Sequence, residues 1–118
     1  MSEKIIGLVI EVHKALGPGL LESAYEQCLA YELMQSGIEF QRQKEISVRY
    51  KSFNLDCGYR LDMLVNNELI LELKSVEKVL PIHEAQILTY MKLSHVNVGL
   101  LINFNSLVVS QNIKRFVL

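Results

Sequence analysis

The spacing of apolar residues changes along this chain, and that change constrains the fold more than any other feature. Before Gly37 the apolar positions recur every three or four residues, and after it they first recur every second residue. Two helices are therefore expected to precede the first strands. A short chain that contains both periods buries its helices against a sheet, which predicts an α/β domain.

Two helices are predicted in the first third of the chain. The first is expected to end near Leu16, because Gly17-Pro18-Gly19 interrupts the helical pattern. The second is expected from about Leu20 to Ser36, where no glycine or proline occurs, with Gly37 at the position of a C-cap glycine.

Strands and one further helix are predicted beyond Gly37. Asn66-Asn67 has the composition of a turn, so the segments on either side of it are expected to form an antiparallel hairpin. The run 96–104 is almost entirely apolar, which indicates an interior strand of the sheet. Strands are thus predicted at about 45–51, 55–65, 69–76, 96–104 and 113–117, with a helix at 81–93 that begins at Pro81. The predicted order is α-α-β-β-β-α-β-β, in a single domain of 118 residues with one hydrophobic core.

The composition excludes several classes of protein. The two cysteines, Cys28 and Cys57, are too few for a disulfide framework, zinc binding is not indicated, and Cys28 is expected to pack in the core. No apolar run approaches the roughly 20 residues of a membrane span, and no signal peptide is recognisable. We therefore expect a cytoplasmic protein that does not bind membranes.

The charge is balanced overall but uneven locally. The chain has 12 basic and 13 acidic residues, so it lacks the excess of positive charge that is typical of nucleic-acid binders. A modest basic patch nevertheless lies between positions 42 and 60. It is either a surface for phosphates or a solvated strand edge. Its basic members are Arg42, Lys44, Arg49, Lys51 and Arg60, against Glu45 and Asp56.

The predicted hairpin brings acidic and basic side chains together. Glu72 and Lys74 are two residues apart, so they share one face of a strand. If Val65 faces Leu69 across a three-residue turn, Asp62 lies directly opposite Glu72 on that face. A two-residue turn would instead place the two carboxylates on opposite faces of the sheet.

Two carboxylates at such a distance repel each other unless a proton or a cation lies between them. A hard divalent cation such as Mg²⁺ or Mn²⁺ suits oxygen ligands of this kind. Lys74 could then stabilise the extra charge of a phosphoryl transition state. The alternative from spacing alone is an ordinary cross-strand cluster in which Lys74 neutralises Asp62 and Glu72.

Three motifs together resemble a known group of enzymes. Asp62 followed by Glu72-Leu73-Lys74 on the next strand resembles the PD-(D/E)XK nuclease superfamily. The segment from Gly19 to Tyr25 matches the G-x-x-E-x-x-Y motif of the GxxExxY protein family, a branch of that superfamily. The segment from Gln86 to Tyr90 resembles the Q-x-x-x-Y motif of RecB-like exonucleases.

The resemblance implies a restriction-endonuclease-like core and roles for individual residues. The implied catalytic residues are Glu22, Asp62, Glu72 and Lys74. The implied metal ligands are Asp62, Glu72 and the backbone carbonyl of Leu73, with Glu22 as a further possible ligand. The supporting or substrate-binding residues are Tyr25, Arg60, Gln86 and Tyr90.

We therefore expect a divalent-metal-dependent nuclease that hydrolyses phosphodiester bonds of DNA, with RNA as the other possible substrate. The implied cofactor is Mg²⁺ or Mn²⁺. The competing hypothesis is a non-catalytic domain on the same scaffold that binds nucleic acid or protein, because a fold does not guarantee an activity. A homodimer or a partner protein is compatible with the high apolar fraction, which is 50% of the residues.

Overall fold

The computed structural model describes residues 1–56 and 58–118, so the prediction for Cys57 lies outside the described residues. These residues form three helices and seven strands, in an α/β fold with one mixed sheet of five strands and a separate two-stranded sheet. The helices are α1 (Ser2–Leu16), α2 (Glu22–Gln35) and α3 (Pro81–Ser94). The strands are β1 (Phe40–Glu45), β2 (Val48–Tyr50), β3 (Phe53–Leu55), β4 (Arg60–Val65), β5 (Leu69–Lys74), β6 (Val98–Asn103) and β7 (Ile113–Val117).

The five-stranded sheet has the order β1-β4-β5-β6-β7. Only β5 and β6 are parallel, and α3 forms the crossover between them. The other neighbours are antiparallel. The sequence-based prediction of an α/β fold with a mixed sheet is confirmed, and β6 has the interior position that its apolar composition predicted.

Two apolar clusters cover the two faces of the sheet. The larger cluster packs α1 and α2 against the face that includes Leu69, Leu71 and Leu73 of β5. The smaller cluster packs α3 against the face that includes Ile70. Cys28 is half-buried against the larger cluster, as expected from the sequence.

The prediction of one half-buried strand at 45–51 is wrong. This segment contains the last residue of β1, a break, and then β2, in which Tyr50 is exposed. The predicted strand at 55–65 is likewise divided into the end of β3 and the whole of β4. The strand β1 escaped prediction because it lies at the edge of the sheet, where five of its six residues are exposed and no apolar alternation develops.

The hairpin between β4 and β5 has a three-residue turn, which is one of the two lengths that the sequence allowed. Val65 faces Leu69, and Asn66 and Asn67 both have positive φ values, which asparagine tolerates better than most residues. The N–H of Glu68 closes the turn by donating to the carbonyl of Val65. Within the described residues, no helix is long and apolar enough to cross a membrane.

Candidate active site

The register of the β4–β5 hairpin places Asp62 next to Glu72. The paired positions end at Met63 and Leu71, and the next residues along the two strands are Asp62 and Glu72. Asp62 Oδ2 accepts a hydrogen bond from the N–H of Leu73 at 2.8 Å, and Glu72 Oε1 accepts one from the N–H of Asp62 at 3.4 Å. Each carboxylate is thus held by the backbone of the opposite strand.

The environment of Glu72 opposes its ionisation. Only 4% of this residue is exposed, although it carries a carboxyl group. Burial, followed by the charge of Asp62 and a hydrogen bond with its side chain, raises the pKa of Glu72 from 4.5 to about 9, while Lys74 acts in the opposite direction. In the metal-free protein the Asp62–Glu72 pair therefore favours keeping a proton.

The acid pair suits a hard divalent cation. Among residues 1–56 and 58–118, no group of three or more His, Cys, Asp or Glu side chains is arranged as a metal site. Magnesium, however, is commonly held by only one or two carboxylates together with water and substrate oxygens. The carbonyl of Leu73 offers a further oxygen, because the N–H and C=O of one residue point to the same side of a strand. The donor set therefore fits Mg²⁺ or Mn²⁺.

Lys74 is the last residue of β5 and is half-buried, and it lies opposite Asn103 of β6. Asn103, which sequence reasoning missed, is only 3% exposed. Its side-chain amide donates to the carbonyl of Val76 at 2.9 Å and accepts from the N–H of the same residue at 3.1 Å. This pair of hydrogen bonds fixes the chain directly after Lys74.

Glu22 lies in the first turn of α2, at the same end of β5. Its Oε2 accepts a hydrogen bond from the N–H of Ser75 at 3.2 Å. The Ser75 hydroxyl in turn donates to the carbonyl of Leu20 at 2.6 Å. Ser75, a second residue that the sequence did not single out, therefore joins the start of α2 to the strand that carries Glu72 and Lys74.

Tyr25 has a positioning role in this arrangement. Its ring is fully buried and stacks on Phe104 with 4.2 Å between ring centroids. Its hydroxyl donates to the carbonyl of Gly17 at 2.6 Å and accepts from the N–H of Leu20 at 3.1 Å. Tyr25 thus holds the loop before α2 and contacts no acidic side chain through these hydrogen bonds.

Gln86 and Tyr90 approach the acid pair from α3. The Gln86 amide donates to the Tyr90 hydroxyl at 3.0 Å. Burial and then the charge of Glu72 raise the pKa of Tyr90. Its ring packs in the same apolar cluster as Ile70, which is two residues before Glu72 on β5. Tyr59 lies next to it, with 6.3 Å between the two ring centroids.

Two arginines of the predicted basic patch, on β1 and β4, have different surroundings. Arg60 is exposed at the start of β4, and no salt bridge of its side chain is found in the part of the chain that the structure describes. Arg42, a member of the basic patch, is paired with the buried Glu26 at 2.9 Å. Gln43 also donates to Glu26, at 2.8 Å. This cluster, which the sequence did not reveal, joins β1 to α2.

This chain is similar to a known protein family over nearly its whole length. The model of a family described as the PD-(D/E)XK nuclease superfamily matches residues 1–116. No curated protein matches it significantly, and neither does any solved structure.

Proposed function

Because this chain belongs to the PD-(D/E)XK nuclease superfamily, we propose that it is a divalent-metal-dependent nuclease that hydrolyses phosphodiester bonds of DNA or RNA. The observation that carries the proposal is the pairing of Asp62 and Glu72 across β4 and β5, two residues before Lys74. Burial, followed by the charge of Asp62, raises the pKa of Glu72, which reduces the stability of the fold above the ordinary pKa of a glutamate. Acidic groups with such perturbed pKa values are concentrated in active sites.

Asp62, Glu72 and the carbonyl of Leu73 are the groups that would hold Mg²⁺ or Mn²⁺. When bound, the cation supplies charge neutralisation at a phosphate oxygen and a lowered pKa of water. For the protein, binding requires that Glu72 release its proton. Metal affinity is therefore expected to increase with pH.

Lys74 is the residue that would act on the phosphate itself. Its ammonium group lies near enough to Glu72 to lower the pKa of that carboxyl. In this position it can stabilise the charge that develops on a phosphoryl group during hydrolysis. Glu22 would complete the site from the start of α2, where the hydrogen bond from Ser75 holds its carboxylate.

The remaining residues would support the substrate. The Gln86 amide and the Tyr90 hydroxyl form a hydrogen-bonded pair on α3, and either group can bind a phosphate or a water molecule. Arg60 is exposed and lies two residues before Asp62 on β4. Its guanidinium group can bind a phosphate. Tyr25 would act through the loop that it holds rather than on the substrate.

The test is cleavage of labelled single- and double-stranded DNA and RNA by the purified chain with Mg²⁺, Mn²⁺ or a chelator. Lys74→Ala is expected to reduce the rate by about 10²–10³-fold, the usual loss when one group that stabilises transition-state charge is removed. Lys14→Ala, which removes an exposed lysine from α1, is the matched control and should leave the rate unchanged.

A second measurement isolates the metal site from catalysis. Saturation with Mg²⁺ at about a hundred times its Kd stabilises a folded protein by about 2.7 kcal/mol. The melting temperature should therefore increase by roughly 10 °C, and Asp62→Asn should abolish the increase. Absence of both cleavage and metal stabilisation would contradict the proposal and favour a non-catalytic binding domain.

A further inference from the structure

The small hairpin formed by β2 and β3 lies between β1 and β4 in the chain, so it leaves the large sheet next to the end of β4 that carries Asp62. β1 ends at Glu45, which pairs with Arg60, and Arg60 is two residues before Asp62. The N–H of Ile46 donates to the carbonyl of Tyr59 at 2.9 Å, which joins the two ends of the excursion. The hairpin itself pairs with no strand of the five-stranded sheet. We call residues 46–59 the hairpin arm.

The hairpin arm exposes two aromatic rings side by side. Tyr50 and Phe53 are directly opposite each other across the two strands, and they are 64% and 67% exposed. Neither ring belongs to either apolar cluster of the core. Because both rings lie outside the core, they stabilise at most the hairpin itself and contribute little to the stability of the whole domain. Their placement is instead that of a surface on which planar groups can stack.

The charge of the same region favours a polyanion. Residues 44–60 are the hairpin arm with the two residues before it and the one residue after it. They include four basic and two acidic residues, whereas the rest of the chain includes eight basic and eleven acidic ones. The ammonium group of Lys51, in the turn of the hairpin, lies 5.4 Å from the centroid of the Tyr50 ring. A region of net positive charge, in a chain whose remaining residues are net negative, therefore coincides with the exposed rings.

A third exposed ring of the hairpin arm lies next to the candidate site. Tyr59 is 45% exposed and is the residue before Arg60. Its ring lies 6.3 Å from that of Tyr90, which is in the candidate site. Successive bases of one strand could thus contact the arm while the backbone reaches Asp62 and Glu72.

We propose that the hairpin arm binds unpaired bases, with Tyr50 and Phe53 as stacking residues, so that the substrate is single-stranded nucleic acid or the single-stranded end of a duplex. This inference rests on the proposed nuclease function. Stacking on aromatic side chains combined with positive charge is how proteins hold single strands without reading their sequence. Bases inside a duplex are already stacked on one another and do not offer their faces to such an arm.

The experiment measures the fluorescence anisotropy of labelled oligonucleotides with the full chain, in Mg²⁺ and in the Lys74→Ala background to prevent cleavage. The probes are a thymine oligonucleotide of about 20 nucleotides, which exceeds the usual site of one small domain, and a duplex of the same length. The variant is Tyr50→Ser with Phe53→Ser, which keeps every charge. The control is Tyr31→Ser, because Tyr31 is equally exposed on α2 but distant in sequence from the arm.

The single strand is expected to bind more tightly than the duplex. The double variant should weaken single-strand binding by about 10–100-fold, since stacking contributes about 1–3 kcal/mol per base, and it should leave duplex binding and the melting temperature unchanged. Equal losses on both probes, or no loss on either, would overturn the inference. So would a change from dimer to monomer in the double variant with unchanged binding, because the rings would then serve a second copy of the chain.

The two proposals fail in different ways. Single-strand binding that depends on Tyr50 and Phe53, without metal-dependent cleavage in the parent chain, would support the binding surface and contradict the nuclease. Metal-dependent cleavage with binding that is independent of the two rings would support the nuclease and overturn the inference about the hairpin arm.

Discussion

The two faces of β5 have opposite chemistry. One face presents Leu69, Leu71 and Leu73, all buried against α1 and α2. The other face begins with the buried Ile70 under α3 but continues with Glu72 and Lys74. Alternate side chains of this six-residue strand therefore stabilise the core, while Glu72 and Lys74 on its other face belong to the candidate site. On the α3 face, polar side chains therefore replace apolar contacts where the carboxylates lie.

On the α1–α2 face, the largest effect is expected for Leu71→Ala. Leu71 is fully buried, so the substitution leaves a cavity and should reduce the free energy of unfolding by roughly 3–5 kcal/mol. Chemical denaturation followed by circular dichroism measures the loss. Leu71→Met, which conserves volume, should cost less than about 1.5 kcal/mol. Equal effects of the two substitutions would show that this face is not tightly packed.

On the α3 face, Glu72→Gln is expected to stabilise the metal-free protein at alkaline pH. Between the ordinary pKa of 4.5 and the folded value of about 9, the folded state keeps a proton that the unfolded state has lost. The stability contributed by the protonated group is thus fully present below pH 4.5 and is lost as the pH rises through about 9. For one proton the slope reaches about 1.4 kcal/mol per pH unit.

The measurement is the melting temperature of parent and variant across that pH range. The parent should lose stability with rising pH more steeply than Glu72→Gln, and Glu11→Gln, which changes an exposed glutamate of α1, should behave like the parent. Parallel curves for parent and Glu72→Gln would remove the distinction between the two faces of β5. Addition of Mg²⁺ should stabilise the parent at the alkaline end but not the variant.

The packing of α3 on the sheet depends on Gly99 of β6. A Cβ atom at this position would lie 2.8 Å from Met91 Sδ and 3.1 Å from Ile87 Cδ1, both of which are side chains of α3. Gly99→Ala is therefore expected to cost about 1–3 kcal/mol by overpacking. Gly7→Ala, in the middle of α1 with no atom near the added group, should instead stabilise by roughly 0.5–1 kcal/mol. Chemical denaturation of both variants measures the two changes in stability. An unchanged stability of Gly99→Ala would contradict the close packing of α3 on β6.

The smallest effect is expected for Tyr25→Phe. The substitution keeps the ring stacked on Phe104 but removes the hydroxyl that joins Gly17 and Leu20. The loss should be about 1 kcal/mol of stability, together with a lower cleavage rate, because the loop positions Glu22. Tyr31→Phe on the exposed side of the same helix should change neither quantity. An unchanged rate in Tyr25→Phe would separate this loop from the site.

The sequence anticipated the elements that follow a clear apolar period. The helices on both sides of Gly17-Pro18-Gly19, α3, β5, β6 and β7 were all predicted close to their observed bounds. The edge strand β1 and the isolated hairpin were not, because neither has a buried face that would impose alternation. Superfamily membership was also predicted from the motifs, and it is confirmed over residues 1–116.

For the candidate site, the sequence identified several residues but not the contacts between them. The spacing of Asp62, Glu72 and Lys74 identified them as candidates. The length of the turn decided whether the two carboxylates lie on the same face of the sheet, and the sequence left that length open. It could not find Ser75, Asn103 or Glu26, since a serine, an asparagine and a glutamate at those positions have no distinctive local pattern. Their importance arises from partners between 16 and 53 residues away in the chain.

What the sequence by itself determined is the set of local preferences: helix and strand periods, the glycine-rich turn before α2, and the acidic and basic side chains on one face of β5. These follow from side-chain size, backbone freedom and alternation, which act over a few residues. What only the tertiary structure decided is the register that brings Asp62 to Glu72, the burial that raises the pKa of Glu72, and the position of the hairpin arm beside them. These depend on which distant segments exclude water together, and that is a property of the packed chain.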